Sequence, residues 1–323
     1  MEYVKFGQTG IKVSPLCLGT MNFPYRTPED EAIDLIHAAI DKGVNFIDTA
    51  NMYGRPANDT NTGHGLTEKL LAKALEGKRD RIILATKVRA TMYDDPNGAG
   101  LSRRHIMEQV EASLKRLNTD YIDLYQMHAP DPDTPIEETL RTMDDLVSSG
   151  KVRYIGTSNF MGWRLIEALW TSDKHNYVPI VSEQPLYNIL VQHRVKDVLP
   201  VAEKYNIALM PWSPLAGGFL TGKYKRDDVY PDGTRLADKK WNEWSEHFFL
   251  TEKTFDVVEL VEAMAHEKGC TMTQLSLAWL LHQKTVTSPI IGPRTMAQLE
   301  DNLGALEVDF TDDDFARIQA VAN

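Results

Sequence analysis

Short apolar runs alternate with helix-like stretches along almost the whole chain, and this alternation restricts the fold more than any other feature. The runs are LCLGT (16–20), NFIDTA (45–50), ILATKV (83–88), YIDLYQMH (121–128), VRYIGTSN (152–159), IVSEQP (180–185), IALMPW (207–212) and SPIIG (288–292). The pattern recurs roughly every 35 to 40 residues, which suits a strand, a crossover helix and a return to a parallel neighbour. Eight such strands predict an α/β fold of the TIM (β/α)8 barrel type rather than an open sheet. An N-terminal β-hairpin in VKFGQTGIKV (4–13) precedes the first barrel strand.

The helical stretches carry their own punctuation. One starts at Thr27-Pro28, a cap followed by proline at the first helical position, sets Ile33, Ile36 and Ile40 on one face, and stops near Gly43. Another opens with a predicted capping box, Thr134-Pro135-Ile136-Glu137, turns Ile136, Leu140, Met143 and Val147 inward, and ends at Gly150. Methionines and aliphatics on these helices read as core.

Three consecutive runs deliver residues suited to work on a carbonyl. Asp48 ends one, with Tyr53 five residues on. Lys87 lies near the end of the next and His128 closes the third. Parallel barrels place their active sites at these downstream strand ends. A tyrosine acting as general acid near neutrality would have to come down from a pKa of ~10, at about 4 kcal/mol. A lysine ammonium at ~4 Å supplies about that much at an effective dielectric of ~20. Burial favours loss of the lysine proton, and a carboxylate such as Asp48 would hold it charged. A neutral His128 can orient the substrate oxygen without adding charge. Singly, these residues have ordinary readings as a turn former, a solvated lysine or an edge histidine. Their combination at neighbouring strand ends is what points to catalysis.

At these residues the chain resembles the aldo-keto reductase superfamily. The matching segments are LGTMNF (18–23), FIDTANMYG (46–54), ATKV (85–88), SLKRLNTDYIDLYQMH (113–128), GKVRYIGTSNF (150–160), EQPLYN (183–188), PWSPLAGGFLTGK (211–223) and IIGPRTMAQLEDN (290–302). They run in order over nearly the whole sequence. The resemblance implies a catalytic tetrad of Asp48, Tyr53, Lys87 and His128 with Tyr53 as the acid, reducing an aldehyde or ketone with NADPH, or oxidising the alcohol with NADP+. It also implies a cofactor site. Gly19, Thr20, Met21 and Asp48 would line it, Ser158, Asn159 and Gln184 would hold the carboxamide, and Trp212 would stack on the nicotinamide ring. Ser213, Leu215, Gly217 and Gly218 would offer backbone donors to the pyrophosphate, with Lys223 adding charge. Gly292, Arg294, Gln298 and Asn302 would take the adenosine end, where Arg294 can hold a 2′-phosphate bidentately. One branch of the family has a Lys-Ser pair and a later arginine where this chain has Gly292-Pro293 and Gln298. The alternative reading from another class is a nucleotide-sensing regulatory subunit, since the potassium-channel beta subunits share these motifs. No partner-binding extension is expected, because the first strand begins within a few residues of Met1.

Composition agrees with one soluble enzyme. With 323 residues and 42% hydrophobic content, a single barrel domain over 1–323 is expected. The 35 basic and 46 acidic residues give a net charge of -11, which disfavours nucleic acid or anionic membrane as partner and leaves a small-molecule carbonyl or alcohol. Two cysteines make no disulfide framework, MEYVKFGQTG lacks the apolar core of a signal peptide, and a cytoplasmic location is expected. The absence of G-x-G-x-x-G and Tyr-x-x-x-Lys argues against an open dinucleotide-binding sheet and the short-chain dehydrogenases. The nine histidines show no His-Glu-x-x-His spacing, so no metal is expected and a metal-dependent hydrolase is disfavoured. RPANDTNTG (55–63) reads as a surface loop. Substrate choice should rest on Met21 to Tyr25, Thr91 to Leu101, and the stretch after Lys223 with Tyr230, Trp241, Trp244, Phe248 and Phe249. The sequence settles neither the substrate nor the oligomeric state.

Overall fold

The structure, a computed structural model, describes residues 1–54, 65–226 and 251–322. The expected loop at 55–63 and the aromatics from Tyr230 to Phe249 lie outside these residues. Strands β1 (Val4–Lys5) and β2 (Lys12–Val13) pair antiparallel as the predicted hairpin. All eight predicted barrel strands form. They are β3 (Cys17–Gly19), β4 (Phe46–Asp48), β5 (Ile83–Val88), β6 (Ile122–Met127), β7 (Val152–Ser158), β8 (Ile180–Gln184), β9 (Ala208–Leu209) and β10 (Ile290–Ile291). They run parallel in the order β10-β3-β4-β5-β6-β7-β8-β9. The two ends meet through Ile290 N, which donates to Pro211 O at 2.9 Å, and Ser288 N, which donates to Leu209 O at 3.2 Å.

Two apolar layers hold this barrel. Inside it, Cys17, Phe46, Ala85, Leu124, Ala208 and Met210 meet Phe6 and Val13 of the hairpin, which plugs the upstream end. The Phe6 and Phe46 rings contact edge to face at 5.4 Å. Gly7, at φ +53°, allows that plug to seat, because a Cβ there would come to 2.7 Å of Asn206 O. Outside, Ile47, Leu84, Tyr125 and Ile155 face Leu35, Val110, Leu140 and Leu165 of the surrounding helices. Each buried aliphatic contributes about 1.5–3 kcal/mol.

Two predicted helix starts differ from the structure. Helix Glu29–Asp41 has Pro28 at its N-cap without a side-chain cap bond, and Thr27 Oγ1 donates to Arg294 O at 3.3 Å. Helix Ile136–Ser148 has Pro135 at its N-cap, and Thr134 Oγ1 donates to Asp131 Oδ2 at 2.8 Å. In both, proline sits one position earlier than expected and the threonine hydroxyl is engaged outside the helix, Thr27 by a distant carbonyl and Thr134 by a carboxylate three residues upstream. A reciprocal capping box forms elsewhere: Gln274 N donates to Thr271 Oγ1 and Thr271 N to Gln274 Oε1. The predicted inward faces are met at Ile36, Ile40, Leu140 and Met143, whereas Ile33, Ile136 and Val147 sit at the core margin. Among the described residues no helix is long and apolar enough to cross a membrane.

Candidate active site

Register brings the candidate residues to one end of the barrel. Gly19 pairs with Asp48, Asp48 with Ala85, Lys87 with Gln126, and Ser158 with Gln184. Along β5 and β6 side chains alternate, so Lys87 stands two residues above the inward Ala85, and Gln126 two above the inward Leu124. His128 continues the second series, its N–H bonded to Val88 O at 2.9 Å.

The four tetrad candidates meet. Lys87 Nζ donates to Asp48 Oδ1 at 2.5 Å, to Thr49 O at 2.8 Å and to the Tyr53 hydroxyl at 3.3 Å. The Tyr53 and His128 rings lie edge to face at 5.8 Å. The other Asp48 oxygen accepts from Gln126 Nε2 and Gln184 Nε2, each at 3.0 Å, and Gln184 Nε2 also reaches Gln126 Oε1 at 3.2 Å. Thr20 Oγ1 donates to Asp48 O at 2.9 Å. Gln126 was missed in the sequence. Its two-residue offset from His128 was the available signal.

Electrostatics separate the roles. Burial alone would strip the Lys87 proton, but Asp48 and Tyr53 outweigh it and the lysine's pKa is raised, keeping it a cation. His128 is lowered to about 3 by burial, Lys87 and Arg89, so it is neutral, as expected. Arg89 follows β5 with φ 138° and donates from Nε to Pro130 O at 3.0 Å. Tyr53 departs from expectation. Burial raises its pKa, and the lowering by Lys87 is opposed by Asp48. The phenol therefore holds its proton at rest. The lysine limits the cost of ionisation instead of causing it.

A cleft of about 660 Å³ opens over this end of the barrel. Asp48, Tyr53 and His128 line it, and Lys87 lies behind its wall. Also on its walls are Gly19, Thr20, Met21, Ser158, Asn159, Gln184, Trp212, Ser213, Leu215, Gly217, Gly218, Lys223, Gly292, Arg294, Gln298 and Asn302, so every residue expected to hold a cofactor faces one space. Met52 and Arg26 join them without having been singled out, and so does Asn22 of the Met21 to Tyr25 segment expected to bear on substrate choice.

The donor set fits an elongated anionic dinucleotide. Asn159, at φ +60°, donates from Nδ2 to His128 O at 3.2 Å and to Ser158 Oγ at 2.9 Å, and accepts from Trp212 Nε1 at 3.1 Å. The indole is thereby fixed in plane beside the tetrad. At the far end, Arg294 N donates to Gln298 Oε1 at 2.9 Å, and helix Met296–Leu303, capped by Thr295, opens toward the cleft. No carboxylate forms an ion pair with Arg294 among the described residues. The glycine loop differs from expectation in one respect. Gly217 N donates to Ser213 Oγ at 3.2 Å and Gly218 N to Leu215 O at 2.8 Å, so these donors are turned inward by the tight turn. Gly218, at φ +112°, serves another purpose: a Cβ there would overlap the Lys223 side chain, which crosses the loop.

Comparison with known proteins gives concordant similarities. Residues 15–323 match the sequence profile of the Aldo/keto reductase family. A Bacillus subtilis (strain 168) protein named as an uncharacterized oxidoreductase is 41% identical over 315 residues, covering 95% of this chain and 92% of that one. A probable voltage-gated potassium channel subunit beta of Arabidopsis thaliana is 35% identical over 313 residues, covering 95% and 92%. Versiconal hemiacetal acetate reductase of Aspergillus parasiticus is 30% identical over 347 residues, covering 99% and 96%.

Proposed function

The chain belongs to the aldo/keto reductase family, and on that premise we propose that it reduces an aldehyde or ketone to an alcohol with NADPH, reversibly, with Tyr53 as general acid. The observation that carries this reading is a protonated tyrosine on the cleft wall with a buried, charged lysine 3.3 Å from its hydroxyl. NADPH, when bound, supplies the hydride. Trp212 would face its nicotinamide ring, Ser158, Asn159 and Gln184 its carboxamide, and Arg294 and Asn302 its adenosine end.

The residues of the chain do the rest. Tyr53 keeps its proton until negative charge develops on the carbonyl oxygen, then donates it there. Lys87 stabilises the phenolate left behind, and its own charge is maintained by Asp48. Gln126 and Gln184 hold the carboxylate so that its other oxygen faces the ammonium. His128, neutral, donates one N–H to the substrate oxygen and fixes its direction without competing as an acid.

Screening aldehydes, ketones, keto sugars and keto steroids for NADPH oxidation tests the reading. Turnover of at least one class is expected. The similarity to a channel beta subunit supports a second reading, nucleotide sensing. Tight NADPH binding without turnover of any carbonyl would favour it.

A further inference from the structure

Two adjacent residues of β8 face opposite sides of the sheet. Gln184 points inward and donates to Asp48, whereas Glu183 points outward and is fully buried. Both reach the turn that follows β7. Asn159 N donates to Gln184 O at 3.2 Å, and Phe160 N donates to Glu183 Oε1 at 3.2 Å. β7 ends at Ser158, so the Phe160 N–H has left the strand ladder and takes its acceptor from a side chain.

A carboxyl is a costly way to fill this layer, because an aliphatic side chain would pack there without losing hydration. Glu183 Oε2 has no hydrogen-bond partner among the described residues. Burial raises the group to about 8, so near pH 7 it is held as the neutral acid. What the residue supplies in return is the acceptor at the turn. Asn159 sits there at φ +60°, a conformation that a side-chain-bearing residue keeps only when its surroundings impose it. From that position its amide holds His128 O, Ser158 Oγ and the Trp212 indole N–H together.

We propose that Glu183 is a positioning residue for the nicotinamide end of the site: its Oε1 fixes the Phe160 N–H, keeps Asn159 in the left-handed conformation, and through Asn159 holds Trp212 and the backbone of His128 in place. Glu183 is not among the described residues lining the cleft, so it acts through Asn159 alone. The inference rests on the proposed function, which gives Asn159 and Trp212 to the cofactor.

Three variants of the full chain test it. Glu183→Leu removes the acceptor, Glu183→Asp keeps a carboxyl one carbon short of Phe160, and Glu183→Gln keeps the acceptor on a neutral side chain of equal length. In the cofactor-free, isotopically labelled protein, the Trp212 indole N–H resonance is identified by its absence from Trp212→Phe. It should shift in the Leu and Asp variants and hold its position in the Gln variant. NADPH affinity should fall on the order of 10-fold in the first two and stay within about 3-fold of the parent in the third. Melting curves show which variants are folded, and should Glu183→Leu not fold, Glu183→Asp carries the test. A folded Leu or Asp variant with the parental resonance and affinity would overturn the proposal. So would a Gln variant as disturbed as the Leu variant. A parent that binds no NADPH, with the indole resonance still moved by Glu183→Asp and kept by Glu183→Gln, would uphold the hold on the turn and overturn the cofactor reading instead.

Discussion

Lys87 donates to Asp48 at 2.5 Å with both side chains out of solvent, 0% and 3% exposed. Removing one partner of such a pair leaves an uncompensated buried charge, at a cost of about 3–5 kcal/mol. Lys87→Met should therefore lower stability by that order in urea unfolding. A loss below about 1 kcal/mol would mean that Gln126 and Gln184 satisfy Asp48 without the lysine.

Cofactor choice is expected to rest on Arg294, which makes no ion pair among the described residues. Charged hydrogen bonds are worth ~1.5 to 3 kcal/mol, so Arg294→Ala should weaken NADPH binding roughly 10-fold to 150-fold and leave NADH nearly unchanged. Equal weakening of both in a binding titration would instead indicate a disrupted loop after β10.

Trp212 both faces the cleft and anchors Asn159 at 3.1 Å. Trp212→Ala should reduce cofactor affinity by about 1 to 3 kcal/mol, taking base-on-aromatic stacking as the analogue. The melting temperature of the cofactor-free protein should change little. A large drop would assign the indole to the core rather than to binding.

Two buried groups make stability depend on pH with opposite signs. His128 is lowered from 6.5 to about 3 by burial, Lys87 and Arg89. Below 6.5 the unfolded chain takes up a proton that the folded chain refuses, so stability falls as pH drops from 6.5 toward 3. Glu183 is raised from 4.5 to about 8 by burial, against the hydrogen bonds from Thr157, Phe160 and Asn159. Between those values the folded state holds a proton that the unfolded state releases, so stability falls as pH rises. Glu183→Gln should be more stable than the parent at pH ~8 and nearly equal to it at pH ~4 in urea titrations. A difference independent of pH would show that Glu183 does not titrate in this range.

The hairpin, the eight strands and the meeting of Asp48, Tyr53, Lys87 and His128 at one end of the barrel were legible because strand alternation and downstream strand ends leave local patterns. The hydrogen bonds around Asp48 were not. Gln126 and Gln184 reach it across 78 and 136 residues, and a neutral amide has no local signature of such a contact. The helix start at Thr27 failed for a related reason, since its hydroxyl goes to Arg294 O across 267 residues, whereas Thr134 is claimed locally by Asp131, three residues upstream. The Tyr53 proton was misjudged because residue types give the sign of each interaction, while burial and the 2.5 Å Lys87–Asp48 contact decide the balance.

Tyr53→Phe removes the hydroxyl beside Lys87 and keeps the ring beside His128, so it isolates proton donation. On whichever carbonyl proves to be a substrate, turnover should fall by roughly 10² to 10⁴ while NADPH binding is retained. Combining it with Lys87→Met should add little, because the two act as a unit. Full turnover in Tyr53→Phe, or a double variant whose losses multiply, would contradict proton donation by a Lys87-supported Tyr53.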